Sequence, residues 1–125
     1  MRPRSRTKPD FRVYPDEKFF RDAQTVEAAN PRHEHEWKLW KEVKLPKGKI
    51  LIPGVVSHAS NVVERPERVA DRIILYAGLV GRENVIAGTD CGMGMCVHPQ
   101  IAWAKLKALS AGAALATKEL WSRGF

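Results

Sequence analysis

KILIPGVVSHASNVVERPERVADRIILYAGLV, residues 49–80, decides how the chain folds. Its first eight residues are apolar on both faces and β-branched, which is how a strand covered on both sides reads. Pro53 stands near the exit of that strand, where a missing N–H matters less. Residues 57–64 are polar and read as a loop. Pro66 suits the first turn of a helix, and Val69, Ile73, Tyr76 and Val80 recur at three-to-four spacing through residues 66–79. Gly81 is the stop signal. The segment is therefore one strand–loop–helix unit.

The same order recurs on either side. Downstream, NVIAGTDCGMGMCVHPQIAW (residues 84–103) gives a short apolar run over 84–87 and a glycine-punctuated loop holding Cys91. A helix follows from Pro99 to about Trp121, rich in alanine at 102, 104, 108, 111, 113, 114 and 116. Upstream, residues 25–29 read as a short strand, stopped by Asn30-Pro31. Residues 34–44 read as a short helix with Trp37, Leu39, Trp40 and Val43 as a partial apolar stripe, and Pro46-Lys47-Gly48 as a turn. Three alternating βα units argue for an α/β fold with a parallel sheet and right-handed crossovers. Three units do not close a barrel of eight, so the expectation is a small open layer or the last part of a larger domain.

The chain has 125 residues, 44% hydrophobic, enough for one packed domain. Residues 1–23, broken by Pro3, Pro9 and Pro15, read as a basic irregular arm with one helical turn around 17–21, and residues 24–125 as the folded domain. The net charge is +7, and Arg2, Arg4, Arg6 and Lys8 crowd the start. No interleaving of basic and aromatic residues accompanies them, so the arm reads as a solvated terminus rather than a nucleic-acid contact. No apolar run is long enough to span a bilayer, the N-terminus lacks an apolar signal segment, and its acidic residues argue against a transit peptide. The expected location is the cytoplasm, with no membrane partner and with Cys91 and Cys96 reduced.

Each expected strand ends in a group capable of chemistry. The first carries Glu27, the second exits to Ser57-His58 with Asn61 three residues on, and the third exits to Asp90-Cys91. A parallel sheet puts all three exits on one edge. A carboxylate, an imidazole and a thiolate there suit a metal site or a thiol-based catalytic site. Plainer readings stand beside these: Glu27 paired with an arginine, His58 capping a backbone group, Cys91 as a small buried residue. The spacing of Cys91 and Cys96 is not C-x-x-C, which argues against a redox pair. His33 and His35, on different faces if helical, read as surface residues. His98-Pro99 opens the last helix, and Trp37 and Trp40 read as packing residues.

VEAANPRHEHEW, ILIPGVVSHASNVVERPERVADRI, VGRENVIAGTDCG and VHPQIAWAKLKALSAGAALATKELW occur here in that order. Together they resemble the C-terminal catalytic barrel of the cobalamin-independent methionine synthase family, and most closely its short single-barrel members, related to epoxyalkane:coenzyme M transferase. The resemblance spans about residues 25–122. It implies the C-terminal three βα units of a TIM (β/α)8 barrel, with the barrel incomplete in this chain. It implies zinc as cofactor, and methyl transfer from a methyltetrahydrofolate to a thiol such as homocysteine, a step of methionine biosynthesis. The partners implied are thus a small thiol and a folate-type donor.

The family's zinc ligands are an H-x-C pair, a glutamate and a later cysteine. Glu27 and Cys91 stand where the last two belong. His58, in H-x-x-N with Asn61, resembles the catalytic histidine that assists proton movement. Asp90 fits the D-C-G pattern, and Asn61 and Asp90 are the expected substrate contacts. Two departures matter. No histidine or cysteine precedes His33, so the H-x-C pair is absent, and Cys96 replaces a usual arginine. The expectation is a C-terminal portion of such an enzyme, with two metal ligands missing and activity in doubt. Alkyl transfer to coenzyme M is the alternative within the family. Outside enzymology, the alternative is a barrel remnant that self-associates or is completed by a partner chain.

Overall fold

A computed structural model describes residues 23–93 and 96–122. The arm expected over 1–23 lies outside the described residues except for Ala23, which opens the first strand. Strand β1 (Ala23–Glu27) is followed by a 3₁₀ segment (Glu34–Lys41), strand β2 (Ile50–Val56) and helix α1 (Pro66–Val80). A short 3₁₀ turn (Arg82–Asn84), strand β3 (Gly88–Thr89) and helix α2 (Pro99–Ser122) complete the order. The three strands form a parallel sheet in the order β1-β2-β3. This is an α/β fold of the kind partial TIM-barrel units have.

The sheet differs from the sequence expectation around Pro53. That residue is mid-strand in the central strand, opposite Val26, not near an exit. Leu51 O accepts from Ile86 N at 3.0 Å. Backbone groups alternate in direction along a strand, so the nitrogen of Pro53 faces the same neighbour and has no proton to give. Pairing with the third strand is accordingly reduced to a bridge between Leu51 and Val85, and resumes in the same register at Gly54↔Gly88, with a register shift only between Gly54 and Val56. The expected strand at 84–87 is thus displaced: Asn84 is taken into the preceding turn, its side chain donating to Val80 O at 2.7 Å.

Residues 34–44 were expected to form a short helix, and Glu34–Lys41 does so as a 3₁₀ helix. Three residues per turn align positions three apart. Trp37 and Trp40 both pack on the cluster of Ala28, Leu51 and Tyr76. Along β2, Leu51 and Val55 are fully buried, whereas Ile50 and Ile52 are only partly so. The early part of the strand is therefore covered on one face rather than on both.

Among the described elements, helices α1 and α2 pack most extensively on one another. Val69, Ala70 and Ile73 of α1 meet Ala116 of α2 beneath Val55 and Val56. Gly112 permits the close approach: a Cβ there would strike the Val69 side chain and lie 2.8 Å from Pro66 O. Three cations bind the layers together. Arg72 Nη1 donates to Val55 O at 3.1 Å and its guanidinium also reaches Glu34, while burial lowers its pKa. Arg82 Nη1 donates to Leu120 O at 2.6 Å, and the Arg82 guanidinium stacks 3.7 Å from the centroid of the Trp121 ring. Lys105, 0% exposed, donates to Val62 O at 2.5 Å and to Glu64 Oε1 at 3.0 Å. The other oxygen of Glu64 accepts from Ser57 N at 2.7 Å. A helix lysine thereby fixes the loop leaving β2.

Replacing Gly112 with Ala is expected to lower the unfolding free energy by about 1–3 kcal/mol, because the packed helices must part. Gly78→Ala, in α1 with nothing within 4 Å of the new Cβ, is expected to raise it by about 0.5–1 kcal/mol. Lys105→Met, which strands the Glu64 carboxylate, should cost about 3–5 kcal/mol, and adding Glu64→Gln should recover part. Urea unfolding reads all three. Tyr76 hydroxyl is buried without a hydrogen-bond partner among the described residues, and burial lifts its pKa to about 12. The unfolded phenol ionises near pH 10. Stability is therefore expected to hold below about pH 10 and to fall as pH rises towards 12. Tyr76→Phe should flatten that limb and gain about 1 kcal/mol at neutral pH.

Candidate metal centre

The three strand exits meet around one carboxylate. Asp90 N donates to Val56 O at 3.0 Å, which fixes the residue at the end of β2. Its Oδ1 accepts from Ala28 N at 3.1 Å and from Ala29 N at 3.2 Å, the first two residues beyond β1. Gly54 makes room: a Cβ there would collide with Asp90 Oδ1 and lie 2.6 Å from Asp90 N. Burial raises the Asp90 pKa, opposed by the N–H groups of Ala29 and Ala28. Its Oδ2 is buried with no hydrogen-bond partner among the described residues.

This clamp sets the residues on either side. Glu27, at the end of β1, is partly buried; His58, two residues past β2, is partly buried; Cys91, two residues past β3, is exposed. One ligand atom from each lies within 4.8 Å of those from the other two. Nδ1 of His58 is buried without a hydrogen-bond partner among the described residues. Ser57, before His58, is held through its N–H by Glu64, and its hydroxyl accepts from Ala59 N at 3.1 Å. Both histidine flanks are therefore fixed by the loop that Lys105 anchors.

A nitrogen, a carboxylate oxygen and a thiol sulfur form a donor set suited to zinc. Donors around tetrahedral zinc lie roughly 3.3–3.8 Å apart, from bond lengths of about 2.0–2.3 Å, and the observed spread is compatible with that. The orphaned nitrogen of His58 is a further point of fit.

Of the residues expected to bear on function, Glu27, His58 and Cys91 are brought together. Asn61 is exposed on the loop after β2 and is not in the cluster. Asp90 directs one oxygen at backbone N–H groups, so its observed work is to hold strand ends. Cys96 is exposed, its N–H bonded to Met93 O at 3.2 Å.

His33 was read as a surface residue, and it is 44% exposed, yet its Nε2 lies 3.4 Å from Glu27 Oε2. Its Nδ1 lies 2.9 Å from Glu36 Oε2, and that contact, then the charges of Glu36 and Glu27, raises its pKa despite some desolvation. The sequence trace of this is Asn30-Pro31, which was read only as the stop of the strand. Asn30 O accepts from both His33 N and Glu34 N, turning the chain back over the strand end.

No family model and no curated protein matches the sequence. Among solved structures, the chain is similar to a B12-independent methionine synthase from Shewanella sp. W3-18-1, determined in complex with selenomethionine. The two share 31% identity over 81% of this chain, with a TM-score of 0.70. The chain spans 28% of the length of that protein. At the level of fold, the βα units described here are therefore similar to part of a B12-independent methionine synthase.

Proposed function

We propose that this chain carries the metal-binding edge of a thiol S-methyltransferase of the cobalamin-independent methionine synthase family. The reaction would move a methyl group from a methyltetrahydrofolate-type donor to a small thiol such as homocysteine. The observation that carries this reading is the convergence of Glu27, His58 and Cys91 at one sheet edge. The likeness to a methionine synthase supports it.

The metal would be zinc, held by Glu27, His58 and Cys91. Zinc supplies Lewis acidity, which turns a bound thiol into a thiolate at neutral pH. With three protein donors, the site would keep room for the substrate thiol, as catalytic zinc sites do. His58 thus takes a ligand's place rather than the proton-moving one its motif suggested, and the absent H-x-C pair is not needed to reach three donors. Cys91 is exposed, which keeps the site open to an incoming thiol. Asp90 holds the loops of Glu27 and Cys91 together, and the Lys105–Glu64–Ser57 connection fixes the approach of His58.

Elemental analysis of the purified full chain is the direct test. One equivalent of zinc is expected, falling below about a tenth of that in Cys91→Ser and sharply reduced in Glu27→Gln and His58→Ala, in line with the cost of losing a ligand. A folded chain that stays metal-free in the presence of zinc overturns the reading. Methyl transfer to homocysteine, set against alkyl transfer to coenzyme M, separates the two chemistries of the family.

A further inference from the structure

The contact between His33 and Glu27 has no counterpart in the donor set itself, and it is built from a local turn. Asn30 Oδ1 accepts from Arg32 N at 3.0 Å, and Asn30 O accepts from His33 N at 2.9 Å and Glu34 N at 2.8 Å. This turn folds residues 30–34 back along the end of β1. It brings two side chains to the same oxygen of Glu27: Asn30 Nδ2 at 3.4 Å and His33 Nε2 at 3.4 Å. The far nitrogen of the ring meets Glu36 Oε2 at 2.9 Å, the shorter of its two carboxylate contacts. The imidazole is thus gripped from outside by Glu36, on the 3₁₀ segment, and faces Glu27 on the inside.

We infer that His33 is a positioning residue for Glu27: braced by Glu36, its ring holds Oε2 of the glutamate and turns Oε1 towards the metal. This rests on the metal reading above. A carboxylate with two rotatable oxygens gains as a ligand when one oxygen is already held, because less orientational freedom is lost on binding. Outer contacts of this kind typically change metal affinity by about 10–100-fold. The arrangement also accounts for a pairing that surface exposure alone leaves unexplained, since a solvated histidine has no need of two carboxylates at separate nitrogens. Glu27, His33 and Glu36 form a line from the sheet edge to the outer surface of the 3₁₀ segment, with Asn30 as its second support.

Cobalt(II) titration of the full 125-residue chain tests this, because cobalt reports both affinity and ligand geometry. Wild type is expected to bind one equivalent with a thiolate-to-cobalt charge-transfer band that Cys91→Ser removes. His33→Ala should bind about 10–100-fold more weakly and show altered ligand-field bands, with its metal-free melting temperature unchanged. His33→Gln, whose amide can reach Glu27, should recover most of the affinity, and Glu36→Ala should lose part of it. An unchanged affinity and spectrum in His33→Ala overturns the inference while the metal reading stands. So does a His33→Gln variant as weak as His33→Ala. A wild-type chain that binds no cobalt overturns both.

Discussion

Asp90 spans all three strands. Its N–H is bonded to the last residue of β2, its carboxylate takes the two N–H groups that follow β1, and its own position is the exit of β3. Gly54 is what lets the chain come that close. The clamp fixes Glu27 from one side and Cys91 from the other, each a single residue away from an atom in the network. Removing its geometry would leave the donor atoms on three independent loops. Buried polar networks gain their strength from low local dielectric and lose it when partly satisfied. The second oxygen of Asp90, without a hydrogen-bond partner among the described residues, and its raised pKa are the costs of placing a carboxylate there.

The basic character of the chain takes on a different meaning in three dimensions. A net charge of +7 invites a search for an anionic partner. Yet Arg72, Arg82 and Lys105 each donate to a main-chain carbonyl: Val55 near the end of β2, Leu120 near the end of α2, and Val62 in the loop after β2. Cations on long stems can reach across a layer and satisfy carbonyls that no strand partner serves. These three serve the fold's internal seams.

The helices were legible because their signals are local. Pro66 at the first turn, Gly81 after the last and an apolar residue every third or fourth position predict residues 66–79, and α1 is Pro66–Val80. Alanine richness from Pro99 likewise predicts α2 to within a residue. Strand β3 was not legible, since a strand of two residues carries no alternation and its place depends on a proline in its neighbour. The segment after β1 was legible as a short helix but not as a 3₁₀ one, because spacings of three and four look alike over so short a run. At the site, Glu27, His58 and Cys91 could be named from their positions at strand exits. Lys105 could not, because nothing in its helix predicts total burial opposite Glu64, which is 41 residues away. His33 was hidden by a turn whose geometry, not its composition, delivers the ring to Glu27.

Pro53 has one more consequence. Between Leu51 and Gly54, the seam joining β2 to the third strand has fewer hydrogen bonds than the seam with β1, where five consecutive residues pair. Local opening follows the least-bonded boundary first, so the segment bearing Cys91 is the one that can separate while β1 and β2 stay joined. A ligand held jointly by Glu27, His58 and Cys91 would rivet that seam from its end, and the free energy of binding would be felt there before anywhere else in the fold. The same proline that thins the ladder would thereby couple any ligand bound at the edge to the integrity of the sheet.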